Sequence, residues 1–258
     1  MSSNRLDELF ERKKEGILNV YFTAGHPTLE STGAIIKSLE KSGVDLIELG
    51  MPYSDPMADG PTIQDSSQKA LANGMSVDKL FDQVAAVRET CQVPLLMMGY
   101  LNQMIQYGKE KFLAKAEKVG IDGLIIPDLP MNLYEKHYQD LFEKYNIRKT
   151  FLITPETSEE RILKVSTLSK GFIYVVSKSS ITGSSAEINA DQKSYFKRII
   201  DLKLPNPRLI GFGIHDKATY NVACQNANGA IIGSAFIRVL DRAEDLDNAI
   251  TTFIKSIR

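Results

Sequence analysis

Short apolar runs alternate with amphipathic helical patterns along the whole sequence, and this alternation limits the available folds more than any other feature. Near-continuous apolar runs rich in Val, Ile and Leu are typical of parallel strands that are buried on both faces. The runs are ILNVYF, VDLIELG, VPLLMMGY, GLIIPD, KTFLIT, FIYVV, RLIGFG and GAIIG. About eight strands alternating with helices predict an α/β protein with a (β/α)8 (TIM) barrel, and a doubly wound open sheet is the alternative.

The helical patterns between these runs have apolar residues on one face and polar ends. The segment after Ser76 places Val77, Leu80, Val84 and Val87 on one side, with Ser76 as the N-cap. Another pattern precedes the first strand, so we expect an additional N-terminal helix that covers the bottom of the barrel. The sequence contains no linker or low-complexity tract, and we therefore expect a single barrel domain over residues 1–258.

Charge and cysteine content exclude several classes of protein. The chain has 31 Lys and Arg against 32 Asp and Glu, and a net charge of -1 gives no reason to expect nucleic-acid or membrane binding. Two distant cysteines, Cys91 and Cys224, indicate neither a disulfide framework nor a zinc site. The first residues are polar and charged, unlike a signal peptide, and no apolar run is long enough to span a bilayer. We therefore expect a cytoplasmic protein.

Two carboxylates stand out at the end of the second apolar run and in the loop after it. Glu48 lies among apolar neighbours where catalytic residues of such barrels occur, and burial raises the pKa of a carboxyl into the range useful for proton transfer. A Glu paired with Lys or Arg at the barrel rim is the alternative. Asp59 lies between Ala58 and Gly60, where an Asp that only forms a turn is also common.

Glycines near the ends of the last strands indicate an anion site. Backbone N–H groups exposed beside glycine, near a helix N-terminus, bind phosphate without a charged side chain. Barrels often build this site from the loops after strands seven and eight, although turns need glycine in any case. The candidates are Thr182-Gly183, Gly211-Phe212-Gly213 and Gly233-Ser234.

Apolar and aromatic side chains at the strand ends could form the walls for a flat ligand, and the alternative is that they belong to the barrel core. These residues are Phe22, Met98, Tyr100, Tyr174 and Phe212.

The sequence lacks the motifs that are typical of several classes of enzyme. The sequence contains neither a P-loop, a dinucleotide-binding glycine pattern nor HExxH, and its histidines are scattered, so we expect no metal site. No lysine lies clearly within a strand run, which disfavours a Schiff-base aldolase, although Lys178 directly after FIYVVS keeps that reading open.

The segment IELGMPYSDPMADGPTIQ closely resembles the signature of the tryptophan synthase alpha chain family. Shorter matches follow along nearly the whole chain, at VYFTAGHP, IIPDLP, SSITG, GFGI and GSAF. The resemblance implies a (β/α)8 barrel lyase that cleaves indole-3-glycerol phosphate to indole and glyceraldehyde 3-phosphate in tryptophan biosynthesis. There are two alternatives: another phosphate-binding barrel enzyme, and a catalytically silent subunit that activates a partner.

The resemblance also implies roles for individual residues. Glu48 and Asp59 match the two catalytic positions. The substrate pocket matches Phe22, Tyr100, Tyr174 and Phe212, and the phosphate contacts match Gly183, Gly213, Gly233 and Ser234. We further expect that the serine-rich loop 178–191 closes over the substrate and that Thr182 then donates a hydrogen bond to Asp59.

The same resemblance implies how the chain works with a partner. The family's alpha chain binds no cofactor, and it passes indole to a beta chain that carries pyridoxal phosphate. We therefore expect an alpha2-beta2 heterotetramer with a tryptophan synthase beta chain.

Overall fold

Eight parallel strands close into a barrel in which each strand pairs with the next along the chain and β8 pairs with β1. The structure is a computed structural model that describes residues 3–57, 59–177, 189–211 and 213–258. This architecture confirms the predicted (β/α)8 barrel over the doubly wound sheet. The strands are β1 Ile17–Thr23, β2 Leu46–Gly50, β3 Leu95–Met98, β4 Gly123–Ile125, β5 Arg148–Ile153, β6 Ile173–Val176, β7 Arg208–Gly211 and β8 Gly229–Ile232.

Helices surround the barrel, and one more precedes it. They are α1 Arg5–Arg12, α2 Ser31–Lys41, α3 Pro61–Ala72, α4 Val77–Arg88, α5 Leu101–Tyr107, α6 Lys109–Val119, α7 Met131–His137, α8 Gln139–Lys144, α9 Glu159–Leu168, α10 Ala190–Asp201, α11 Lys217–Asn226, α12 Ser234–Asp241 and α13 Leu246–Ile257. Ser76 caps α4 as predicted, because its hydroxyl accepts a hydrogen bond from the Lys79 N–H. Within the described ranges, no helix combines the length and the apolar character that crossing a bilayer requires.

Strand alternation sorts the side chains into two apolar clusters. Side chains that point outward pack against the helices, as Val20 and Ile47 do. Side chains that point inward fill the barrel, as Ile17, Leu46 and Leu96 do. A residue's position along its strand therefore decides whether it belongs to the barrel interior or to the layer beneath the helices.

Helix α1 covers the N-terminal end of the barrel, as the sequence predicts. Its apolar face, formed by Leu6, Leu9 and Phe10, belongs to the same cluster as the inward side chains. Its polar face is held by ion pairs, since Arg5 binds Asp122 at 3.1 Å and Asp7 binds Arg148 at 2.6 Å. The base of the barrel is therefore closed by a packed and charge-anchored helix.

Strand β5 contains a lysine that the sequence reading missed. Lys149 is completely buried, and it lies on the same side of β5 as Phe151, whose ring packs in the outer layer on Tyr134. Its ammonium group donates to the carbonyl oxygens of Thr150 at 2.6 Å and Ile126 at 3.4 Å. Burial lowers the pKa of Lys149 to about 7. Because Lys149 faces the helices rather than the barrel interior, it does not supply the Schiff-base lysine of an aldolase.

We expect Lys149→Met to stabilise the chain at pH 7. Between pH 7 and about 10 the unfolded chain holds a proton on Lys149 that the folded chain lacks, so wild-type stability rises with pH in that window. The advantage of the variant should therefore shrink by about 2 kcal/mol between pH 7 and pH 9, as measured by urea unfolding.

Lys37→Met on the exposed face of α2 is the matched control, and its effect should not depend on pH in this range. An advantage of Lys149→Met that was the same at pH 7 and pH 9 would show that Lys149 is charged in the folded chain.

Candidate active site

A cavity of about 330 Å³ lies at the C-terminal end of the barrel. Its walls come from β1, β3, β6 and β8 and from the loops that follow β2 and β7. Several residues that the sequence singled out line it, namely Asp59, Met98, Tyr174, Gly213, Gly233 and Ser234. The structure therefore brings the loop carboxylate, an aromatic wall and the late glycines together in one place.

Glu48 faces the barrel interior close to this cavity and has no solvent exposure. It pairs in register with Tyr21 of β1, and Tyr21 lines the cavity, whereas Glu48 itself does not. Burial raises the pKa of Glu48 to about 8, and a hydrogen bond from Asn19 partly opposes this rise. Among the described residues Glu48 forms no ion pair, so the alternative of a charge pair with Lys or Arg at the rim gains no support.

Asp59 is held by an aromatic pair rather than by a cation. The Tyr100 hydroxyl donates to Asp59 Oδ2 at 2.9 Å, and the Tyr100 ring stacks on Tyr53 with 5.0 Å between the centroids. Burial raises the pKa of Asp59, and the hydrogen bond from Tyr100 opposes the rise. Tyr100 and Asp59 also line a small recess beside the main cavity.

The structure places Tyr21, rather than Phe22, on the wall of the cavity. Phe22 points outward, is fully buried beneath the helices, and meets Phe236 of α12 edge-on at 6.4 Å. The expectation that Phe22 contacts the substrate is therefore corrected, because a shift of one residue along a strand moves a side chain to the opposite face. The signal was present in the parity of Asn19 and Tyr21, the two polar members of β1 before Thr23.

The hydroxyls of Tyr21 and Tyr174 lie within the electrostatic reach of both carboxylates. Burial is the main cause of the raised pKa of each tyrosine, and the negative charges of Glu48 and Asp59 add to it. Each hydroxyl also lies over a glycine of a neighbouring strand. A Cβ at Gly50 would collide with the Tyr21 hydroxyl, and one at Gly211 would collide with that of Tyr174. The strand-end glycines therefore give the two rings their positions.

Part of the cavity wall is formed by the start of α12. Gly233 is the N-cap of this helix and Ser234 is its first residue, and both line the cavity. The first N–H groups of a helix have no intrahelical partners. Gly213 contributes from the loop after β7 with a φ of 78°, a conformation that favours glycine. Arg238, on the next turn of α12, also lines the cavity.

Three further predicted site residues, Thr182, Gly183 and Phe212, lie outside the described residues, and so does Lys178. Within the described part of the chain, no cluster of His, Cys, Asp and Glu has the arrangement of a metal site.

The fold and the cavity together define a (β/α)8 barrel with one carboxyl, that of Glu48, buried on strand β2 and a second, that of Asp59, in the loop after this strand. The family model described as "Tryptophan synthase alpha chain" matches residues 8–257. The chain belongs to the tryptophan synthase alpha chain family.

Relatives of the chain support this membership along its whole length. It is 51% identical over 255 residues to the tryptophan synthase alpha chain of Christiangramia forsetii, covering 99% of this chain and 98% of that one. It is 52% identical over 254 residues to that of Flavobacterium psychrophilum, covering 98% and 99%.

Solved structures give the same result for the fold. Tryptophan synthase subunit alpha from Legionella pneumophila superposes with a TM-score of 0.89 at 32% identity, covering 99% of this chain and 97% of that chain. The aminoacrylate-bound form of tryptophan synthase from M. tuberculosis gives a TM-score of 0.86 at 26% identity, covering 99% and 98%.

We expect Tyr100→Phe to raise the pKa of Asp59 by about one unit, because the variant loses a donated hydrogen bond that stabilises the ionised carboxylate. The carboxyl carbon resonance of Asp59, followed by NMR across a pH titration, measures this shift.

Tyr53→Phe is the matched control, because it also removes a tyrosine hydroxyl, but one that accepts a hydrogen bond from Asn102. Equal titration midpoints in the wild type and in Tyr100→Phe would contradict the assigned role of the Tyr100 hydroxyl.

Proposed function

We propose that this chain is the lyase that cleaves indole-3-glycerol phosphate to indole and glyceraldehyde 3-phosphate, which is the alpha reaction of tryptophan synthase. One observation carries the proposal beyond family membership. Glu48 is completely buried and has a raised pKa. It pairs in register with Tyr21, which lines the cavity, and Asp59 lines the same cavity. A retro-aldol cleavage of an indole substrate needs a proton donor, a base and a site for developing positive charge.

Glu48 serves as both donor and base. With a pKa of about 8 it is largely protonated at neutral pH, so it gives its proton to C3 of the indole ring. The ring becomes a cation that accepts electrons from the adjacent carbon–carbon bond. The Glu48 carboxylate then removes the proton of the neighbouring hydroxyl, the carbon–carbon bond breaks, an aldehyde forms, and the protonated Glu48 is restored.

Asp59 stabilises the positive charge that the ring gains. A carboxylate near the ring N–H lowers the energy of the protonated indole, and a partly buried site strengthens this interaction. The hydrogen bond from Tyr100 favours the ionised form of Asp59 that this role requires. Tyr21 and Tyr174 provide walls for the flat ring.

The substrate phosphate binds at the start of α12. The free N–H groups of its first turn and the positive end of the helix dipole favour an anion there. Gly213, Gly233 and Ser234 all line the cavity, and Gly183 completes the proposed contact set. Thr182 and Phe212 stay in the proposal as substrate contacts on the strength of the sequence motif.

The chain works with a beta chain, since its relatives include tryptophan synthase alpha chains and a solved structure of tryptophan synthase. We propose that this partner carries pyridoxal phosphate, forms an alpha2-beta2 heterotetramer, and docks on the barrel mouth through the loop 52–61. Met57 of this loop is 95% exposed, which supports a contact surface there. The alpha chain itself binds no cofactor in this scheme.

We expect Glu48→Gln to lower indole formation from indole-3-glycerol phosphate by about 10² to 10⁴ while the fold is retained, because the amide transfers no proton. Steady-state assays with thermal unfolding as the check on folding measure this. Glu117→Gln, the same chemical change on the exposed face of α6, should leave the rate unchanged. Near-normal turnover by Glu48→Gln would remove Glu48 from the reaction and favour a silent subunit.

We expect Ser234→Pro to raise KM by at least about tenfold, because it removes one N–H donor to a charged group at a position where proline is compatible with the helix start. Ser234→Ala removes only the hydroxyl and should have a smaller effect.

Arg238→Ala tests the competing reading, in which a side chain binds the phosphate. A larger rise in KM for Arg238→Ala than for Ser234→Pro would show that the guanidinium, rather than the backbone of α12, is the main phosphate contact.

A further inference from the structure

Asn19 is a polar residue in the barrel interior that the sequence analysis did not single out. It lies on β1 with no solvent exposure, two residues before Tyr21 and on the same face of the strand. It pairs in register with Leu46, whereas Tyr21 pairs with Glu48. Asn19 is therefore one layer of side chains deeper in the barrel than the residue that lines the cavity.

The side chain of Asn19 reaches Glu48 from this deeper layer. Its Nδ2 group donates a hydrogen bond to Glu48 Oε1. Within the described part of the chain, Glu48 Oε2 has no hydrogen-bond partner, and neither has Asn19 Oδ1. The amide thus binds one oxygen of the carboxyl, and the other oxygen has no partner among the described residues.

The surroundings make this contact selective. The other inward side chains at this level, such as Leu46 and Leu96, are apolar and offer no hydrogen bond. A buried polar group without a partner is costly, so Glu48 and Asn19 depend on each other. A lysine in place of Asn19 would hold Glu48 permanently ionised, and an aspartate would repel it.

An amide differs from those groups because it carries both a donor and an acceptor. Its NH2 end suits the ionised carboxylate, and after a half turn its oxygen suits the protonated acid. A residue that gives and then takes a proton passes through both forms during each turnover. A carboxamide is therefore the type of neighbour that remains bonded to it throughout.

We propose that Asn19 is a positioning residue for Glu48, which anchors one carboxyl oxygen in both protonation states and leaves Oε2 to exchange the proton with the substrate. This inference rests on the proposed catalytic role of Glu48. Asn19 does not line the cavity and acts through Glu48 alone.

The test compares variants of the full chain in the cleavage of indole-3-glycerol phosphate across pH 6 to 10. Asn19→Leu keeps the approximate size and removes both hydrogen-bonding ends, so kcat should fall by about tenfold or more, because the carboxyl loses its fixed position. KM should change by less than about twofold, since the cavity wall is intact.

The pH profile supplies a readout that a purely structural role would not move. Glu48 must begin protonated, so the rate falls as pH rises through its pKa. The donated hydrogen bond lowers that pKa, and its loss in Asn19→Leu should move the alkaline limb upward by about one pH unit. Carbon-13 NMR of the Glu48 carboxyl in the ligand-free chain, identified by its absence in Glu48→Gln, should show the same upward shift.

Asn19→Asp is the second variant. It keeps the shape of the side chain, so it still tests the inference if the Asn19→Leu chain does not fold. Repulsion between two carboxylates should move the alkaline limb further upward than Asn19→Leu does. Thr150→Val is the control. Thr150 lies on the same face of β5 as Leu152, which packs inward. Its buried hydroxyl has no hydrogen-bond partner among the described residues. The control variant should leave both kcat and the pH profile unchanged.

The outcomes separate the inference from the function on which it rests. If Glu48→Gln is inactive while folded Asn19 variants keep the wild-type kcat and alkaline limb, the positioning role is wrong and the proposed function stands. If Glu48→Gln stays active, the proposed function itself is wrong. A lowered kcat with an upward-shifted limb in both Asn19 variants supports the inference.

Discussion

The exclusion of water from the barrel interior is the constraint on which the rest of the site depends. Eight strands close on themselves, and their inward side chains are mostly apolar, so a carboxyl placed among them loses hydration in its charged form. Glu48 is that carboxyl: burial raises its pKa to about 8 even though the hydrogen bond from Asn19 opposes the rise.

The second carboxylate is controlled by a different balance. Asp59 belongs to a loop rather than to a strand, and its burial is less complete than that of Glu48. A phenol holds it, and a second phenol ring stacks behind the first. Different neighbours thus adjust the proton affinities of the two acids.

Much of the fold followed from local patterns, and the site followed only in part. The apolar runs predicted the strands, and the amphipathic start predicted α1, because each signal lies within one segment. Phe22 was wrongly placed because both faces of β1 are buried, so its apolar residues do not alternate with polar ones, and only Asn19 and Tyr21 mark the inward face. Asn19 and Lys149 were missed for a related reason, since a lone polar residue in an apolar run shows its burial and its partners only after the strands have paired.

The closed base has a consequence for the order in which the fold is completed. Helix α1 precedes every strand of the barrel, yet its apolar face packs with Phe172 and Leu209, which lie far along the chain. In a chain emerging from the ribosome, the apolar face of α1 therefore lacks these packing partners until most of the barrel has been made. A helix that is synthesised before the strands is thus among the last elements to be locked, and its docking marks the completion of the ring of strands.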